Sequence, residues 1–236
     1  MISFDDVKFY CPEITELYHK FLMDIDLYNN YISKNASIIT DIKDKIEKEF
    51  VELAKKVKDE SEEMSLDSEK SSILETEYHG FKDINYKTLV IHIYSFLESN
   101  LRELAIITET KLNLPLNYKD IKADDQSLKL YKKYFEKVGT IVYSKEIIDN
   151  WTLLGKYQTV RNAIAHNYKC DWSENTLQNR IIELGKLIDT NSSLRKDTYN
   201  ETFIICENKF LSDFIELVNK FLVQLFDVVQ EKINKQ

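Results

Sequence analysis

Only four glycines and two prolines interrupt 236 residues, and that scarcity constrains the fold more than any other feature. Glycine and proline supply the tight turns that strand-rich folds need in number. With so few of them, and with strong helical periodicity, the chain reads as all-α rather than as an all-β or α/β sheet protein. The periodicity begins at Pro12, a residue suited to the first turn of a helix. A 3-4 alternation of apolar side chains then runs through Ile14, Tyr18, Phe21, Ile25, Tyr28, Ile32, Asn35, Ile39, Ile42, Ile46, Phe50, Leu53 and Val57. Sustained over so many turns, it predicts a helical arm over 12–57 with one narrow seam, about 65 Å long if unbroken. Asn35 either fixes register in that seam or marks a break near Ser33–Ser37.

The rest of the chain fits one domain, 1–236, built as an antiparallel helical bundle behind this arm. Residues 58–84 are charged and lose the period, so they read as a solvated loop. A helix is expected over about 85–111, with Val90, Tyr94, Leu97, Leu101, Leu104 and Thr108 on one stripe, ended by Pro115. A shorter one over about 124–138 points Leu128, Tyr131, Phe135 and Val138 inward and stops at Gly139, in a helix-ending position. Ser144 is a plausible N-cap for a helix over 144–167. Residues 171–206 read as an irregular insert. Within it, Arg180–Leu184 and Thr202–Cys206 are short and β-branched, consistent with a small hairpin. The last helix, about 209–232, is apolar over a broad arc (Phe210, Phe214, Leu217, Val218, Phe221, Leu225, Phe226, Val229) and should be central to the core.

Charge and cysteine use narrow the function. A formal charge of −8 is the wrong sign for a bulk nucleic-acid binder, so any RNA contact needs a local basic patch. Lys132, Lys133, Lys137, Lys156 and Lys169 could contribute to it, although lysines are common throughout the chain and a solvated face is the more usual place for each. Cys11, Cys170 and Cys206 are scattered, and His19, His79 and His92 are isolated. Neither a metal site nor a disulfide framework is suggested, and no cofactor. The N-terminus lacks the basic start and apolar run of a signal peptide, and no apolar stretch is long enough to span a bilayer. A cytoplasmic protein without membrane contact is expected.

The chemistry concentrates at Arg161-Asn162-Ala163-Ile164-Ala165-His166-Asn167, which closes the helix expected over 144–167. Only four arginines occur among 32 basic residues. An arginine kept at 161 therefore points to use of its planar, permanently charged fork, which lysine lacks. Asn162 and His166 lie one turn apart on the same face. Leu153, Tyr157, Val160 and Ile164 form one stripe, read as core. A second face carries Trp151, Leu154, Gly155, Gln158, Arg161, Asn162, Ala165 and His166. With small residues, apolar area and few charges, it reads as a dimer seam with the polar trio at its end. The plainer alternative stays open, because a histidine in a last helical turn often just caps carbonyls and complements the dipole.

This Arg-Asn-x-x-x-His arrangement resembles the R-x4-6-H signature of the HEPN superfamily, many of whose members are metal-independent endoribonucleases. The resemblance covers about residues 85–168 and the last helix, leaving the arm and the 171–206 region unexplained. It implies a homodimer in which both motif helices face one cleft, with Arg161, Asn162 and His166 as catalytic residues. It implies RNA cleavage through the 2′-hydroxyl, leaving 2′,3′-cyclic phosphate and 5′-hydroxyl ends, in toxin–antitoxin or antiviral defence. Glu98, on the preceding helix, matches the position of a supporting polar group; its plain reading is an i,i+4 pair with Arg102. Arg161-x4-His166-x-Tyr168 also resembles toxins whose tyrosine is adenylylated by a nucleotidyltransferase antitoxin, although this chain is much longer than those compact toxins. A tyrosine there otherwise belongs to the core or stacks. Two further functions remain in view: a catalytically inactive HEPN-like module that binds RNA or nucleotides, and a coiled-coil interaction protein built on the long seam.

Overall fold

The computed structural model describes residues 11–121, 128–166, 179–197 and 201–235. Tyr168, Lys169 and Cys170 lie outside the described residues. The first helix, α1 (Pro12–Ala54), is 43 residues of unbroken helix, about 65 Å long. Most of the expected seam is buried (Ile14, Tyr18, Phe21, Ile25, Ile32, Ile39, Ile46 and Phe50), whereas Tyr28 and Ile42 are half-buried and Leu53, in the last turn of the helix, is exposed. Asn35 is buried in that seam without breaking the helix. Its amide nitrogen finds no partner among the described residues.

Residues 58–84 are not a loop. After a turn at Lys55–Asp59 the chain re-enters helix as α2 (Glu60–Ile73). It then passes through seven residues of wider π-helical winding, Leu74–Gly80, and continues as α3 (Phe81–Lys111). None of α2 is buried, so it has no apolar period to display. Local chemistry holds it instead. The Asp59 carboxylate accepts the Glu62 backbone N–H at 3.0 Å. Glu60, Glu62 and Glu63 crowd the first turn, and Lys70 the last, as the helix dipole favours. α2 packs on α1, which makes the arm a helical hairpin.

α3 ends as Leu114 N–H bonds the Glu109 carbonyl at 3.0 Å, around Asn113 in the left-handed region at φ 47°. This is a Schellman-type stop with asparagine in the place glycine often takes. α4 (Leu128–Lys137) buries Leu128, Tyr131, Tyr134 and Phe135. Beyond it, the left-handed residue is Thr140 (φ 49°) rather than Gly139. Gly139 is required for another reason: a Cβ there would lie 2.9 Å from the Phe135 carbonyl oxygen. α5 (Lys145–Ala165) follows, its start capped by Ser144 Oγ, which accepts the Ile147 N–H at 3.2 Å.

Within the 171–206 region, residues 179–197 and 201–206 are more regular than their sequence suggests. α6 (Asn179–Thr190) takes up Arg180–Leu184, the stretch expected as a strand. A hairpin does form, but β2 (Thr202–Ile205) pairs antiparallel with β1 (Leu194–Asp197), Leu194 opposite Ile205. The Asp83 carboxylate ties it to α3 by accepting the Ile205 N–H at 3.3 Å.

α7 (Lys209–Asn234) lies in the middle, packed on α1, α3 and α5. Side-chain pairings give the directions. Glu13 meets Lys111, Lys20 meets Glu103, and Tyr28 donates to the His92 carbonyl, so α1 and α3 are antiparallel. Phe226 packs on Tyr18 and Phe21, while Gln230 accepts from the Cys11 N–H, so α1 and α7 are antiparallel. Trp151 packs on Phe221 and Tyr157 on Phe214, which sets α5 antiparallel to α7. It follows that α5 also runs antiparallel to α3. Among the described residues, no helix is long and apolar enough to cross a membrane.

The turn after α4 gives a stability test. Gly139→Ala should destabilise by about 1–3 kcal/mol, because the added methyl must push the Phe135 backbone aside. Thr140→Gly should cost little or nothing, since it relieves a β-branched residue held at positive φ. Urea unfolding of both variants checks this.

Candidate functional site

The rotation of α5 decides what each motif residue does. Trp151 stacks edge-on against Phe221 with centroids 4.6 Å apart. Tyr157 lies flat against Phe214 at 4.1 Å and 5°. These contacts turn Trp151 (5 % exposed) and Leu154 (0 %) into the chain's own core and leave Leu153 42 % exposed. The expected dimer seam is therefore corrected at its apolar end. Trp151 and Leu154 are inside, whereas Leu153, taken as core, is outside. Helix α5 is central, packed by α3, α4, α6 and α7, so apolar residues on both its faces find partners within one chain. Gly155, Gln158 and Ala165 are not buried.

Arg161 sits where α5 leans on α3. Its guanidinium lies over the ring of the buried Tyr94, 5.3 Å from the centroid, within reach of a cation–π contact. One terminal nitrogen, Nη1, donates to Asn162 Oδ1 at 3.0 Å, leaving the Asn162 NH2 to face other acceptors. Arg161 Nε is buried with no partner among the described residues. The described partners of this half-buried cation are thus an aromatic face and a neutral amide.

His166 is the C-cap of α5, at φ −100° and ψ 3°, and its backbone N–H bonds the Asn162 carbonyl at 3.0 Å. The residue is exposed. The trio therefore fans out around one helix end: Arg161 against α3, Asn162 beside it, and His166 at the tip.

Glu98 lies on the neighbouring helix α3. It stands one turn, about 6 Å, along α3 from Tyr94, on the side of α4. There it is half-buried near Tyr131. Burial, with Tyr118 and Glu98 close by, pushes the Tyr131 hydroxyl up to about 12. The expected Glu98–Arg102 pair is replaced by a contact from Arg102 Nη2 to Ser99 Oγ at 3.4 Å. Tyr168 lies outside the described residues.

Asn162 also opens onto a groove of about 480 Å³ between α5 and α6, closed at one side by α4. Thr152, Gly155 and Thr159 line it from α5, Glu183 and Lys186 from α6, and Lys129 from α4. Lys156 of the expected basic patch lines it too. Lys132 lies 4.0 Å from Glu136. Lys129 and Lys186 were not legible as site residues, because only the packing of α4, α5 and α6 brings them together. Among the described residues, no group of three or more His, Cys, Asp or Glu is placed to hold a metal ion. Compared with family models, with curated proteins and with solved structures, the chain finds no match.

Two adjacent residues of α5 test the rotation. Leu154→Ala should lower stability by about 2–5 kcal/mol, as for a fully buried leucine. Gly155→Ala should raise it by up to about 1 kcal/mol, since a Cβ there meets nothing within 4 Å. Thermal unfolding distinguishes this from a seam between chains, in which Leu154→Ala would weaken association and spare the fold.

Proposed function

We propose that the chain is a HEPN-type endoribonuclease that cleaves RNA by attack of its own 2′-hydroxyl and acts as a homodimer. The observation that carries the reading is Arg161. It is a half-buried cation, oriented by Tyr94 and Asn162 and, among the described residues, not neutralised by a carboxylate. A planar fork held in this way suits an anion with two oxygens to offer, and a phosphodiester is one.

The chemistry needs little else. The 2′-oxygen attacks phosphorus as a base takes its proton. Negative charge builds on the non-bridging oxygens, and the P–O5′ bond breaks as an acid protonates the leaving oxygen. Arg161 stabilises the developing charge. His166 serves one proton transfer through its imidazole, and Asn162 orients the guanidinium or a phosphate oxygen. One chain brings one such histidine. A second copy, meeting the first around the exposed helix tip at Ala165 and His166, supplies the other. The products are a 2′,3′-cyclic phosphate and a 5′-hydroxyl. A role in toxin–antitoxin or antiviral defence, with an antitoxin or regulatory protein as partner, belongs to the same proposal.

A different observation favours a second reading, a non-catalytic interaction module. Met23, Leu27 and Tyr31 are exposed on one face of α1. Leu27 and Tyr31 border a mostly apolar groove of about 390 Å³ between α1 and α3, with Thr88, Leu89 and His92 opposite. Such a surface suits a protein partner and needs no chemistry.

Incubation with RNA in EDTA separates the two. The wild type should cleave RNA and spare DNA. His166→Ala should lose about 10²- to 10⁴-fold in rate, and Arg161→Lys should also fail. Unfolding curves must accompany both variants, because a change at a helix end can cost up to about 2 kcal/mol by itself. Equal cleavage by the wild type and a folded His166→Ala protein overturns the assignment. Native mass measurement at micromolar concentration should give a dimer, and a monomer that remains active contradicts the shared cleft.

A further inference from the structure

The groove between α5 and α6 has a sign and a shape that the trio does not explain. The chain as a whole carries −8. Yet, among the described lining residues, Lys129, Lys156 and Lys186 converge on this groove from three different helices, beside the carboxylate of Glu183. Between the lysines lies the amide of Asn162, whose NH2 can donate to phosphate or sugar oxygens, together with the hydroxyls of Thr152 and Thr159, which donate to the Ile148 and Gly155 carbonyls and keep lone pairs to accept with. No aromatic ring is among the described lining residues, so the groove offers no platform on which a base would stack.

Its floor has a second property. Gly155 sits in the middle of α5, where glycine is about 1 kcal/mol less favourable than alanine, and a Cβ there would meet nothing within 4 Å. The space above this backbone is open, and packing within the chain does not call for a glycine. The α5 residues Thr152, Gly155, Thr159 and Asn162 form one continuous stripe. It runs about 15 Å along the helix and ends beside Arg161, one turn before His166.

We propose that this stripe is a track for the sugar–phosphate backbone of single-stranded RNA, leading the strand to the trio and read without regard to base. The inference rests on the ribonuclease reading for its direction and its ligand. It adds that Lys129, Lys156 and Lys186 hold successive phosphates and that the strand passes over Gly155. Contacts to phosphate position a strand and carry no sequence information, so the track predicts a nuclease whose base preference is set elsewhere. A groove of this kind also binds single-stranded DNA, because phosphates are common to both. DNA is then bound and not cut, for want of the 2′-hydroxyl.

Binding and cleavage can be separated by measuring anisotropy of a labelled single-stranded RNA, and of DNA of the same sequence, on the full-length His166→Ala protein. Three lysine–phosphate contacts give a salt slope of about −2, so affinity should fall about 20-fold between 50 and 200 mM salt. Replacing Lys129, Lys156 and Lys186 together by Gln should flatten that slope towards zero for RNA and DNA alike. Replacing Lys45, Lys48 and Lys55 on the arm by Gln, an equal change of charge, should leave it as it was. Gly155→Leu should block the groove and weaken binding at least tenfold, with an unfolding temperature no lower than that of its parent. Unchanged binding in the groove triple variant, or in a folded Gly155→Leu protein, overturns the track and leaves the nuclease assignment standing. Absence of binding to either strand at 50 mM salt overturns it as well. Tight binding without any cleavage by the wild type keeps the track and removes the nuclease.

Discussion

Two aromatic contacts on α7, Phe221 against Trp151 and Phe214 against Tyr157, fix the rotation of α5, and the candidate site depends on that rotation. With Trp151 and Leu154 turned inward, Arg161, two turns beyond Leu154, is brought against Tyr94 on α3. Asn162, about 100° further round the helix, reaches the α5–α6 groove, and His166 comes out at the exposed tip. A helix turned by one residue would put Leu153 in the core and carry the arginine out into water. The large apolar arc of α7 thus does more than stabilise the bundle. It determines which polar groups of its neighbour are held and which are presented.

Much of this was legible in the sequence, because long helices with one buried stripe write their burial as period. The stripe Val90–Tyr94–Leu97–Leu101–Leu104–Thr108 is buried as read, and so is the arc of α7 apart from Leu217, which is half-buried. Ser144 caps where it should. The errors have physical causes. α2 has no buried face, so only the cap at Asp59 and the acidic first turn mark it in the sequence, not hydrophobic period. Arg180–Leu184 is a short β-branched run, and such runs do not by themselves distinguish strand from helix. Its supposed partner strand pairs instead with Leu194–Asp197, of which only Leu194 is buried. The face of α5 was misread because a helix packed on several sides has no single apolar stripe. The lysine groove was invisible for a related reason: it is a property of three helices meeting.

The electrostatics of the chain follow the same logic of local against global. An acidic protein repels a polyanion at long range, but at contact the nearest groups decide, because screening confines exposed charges to about 10 Å at ordinary ionic strength. Lys129, Lys156 and Lys186 line the α5–α6 groove, and Arg161 lies one residue from its end, against α3, in a chain with 40 acidic and 32 basic residues. Such a distribution favours a ligand that enters by one route and disfavours indiscriminate adhesion to nucleic acid.

In the proposed reaction the trio at the end of α5 uses the nucleophile that RNA itself carries. The most direct test is a substrate with one 2′-deoxynucleotide at a mapped cleavage position, compared with the all-ribose strand at saturating enzyme. The substituted strand should bind with unchanged affinity, escape cleavage at that bond, and still be cut at neighbouring ones. Cleavage at the substituted bond at the ribose rate would show that water, not the 2′-hydroxyl, attacks the phosphate, and would contradict the account.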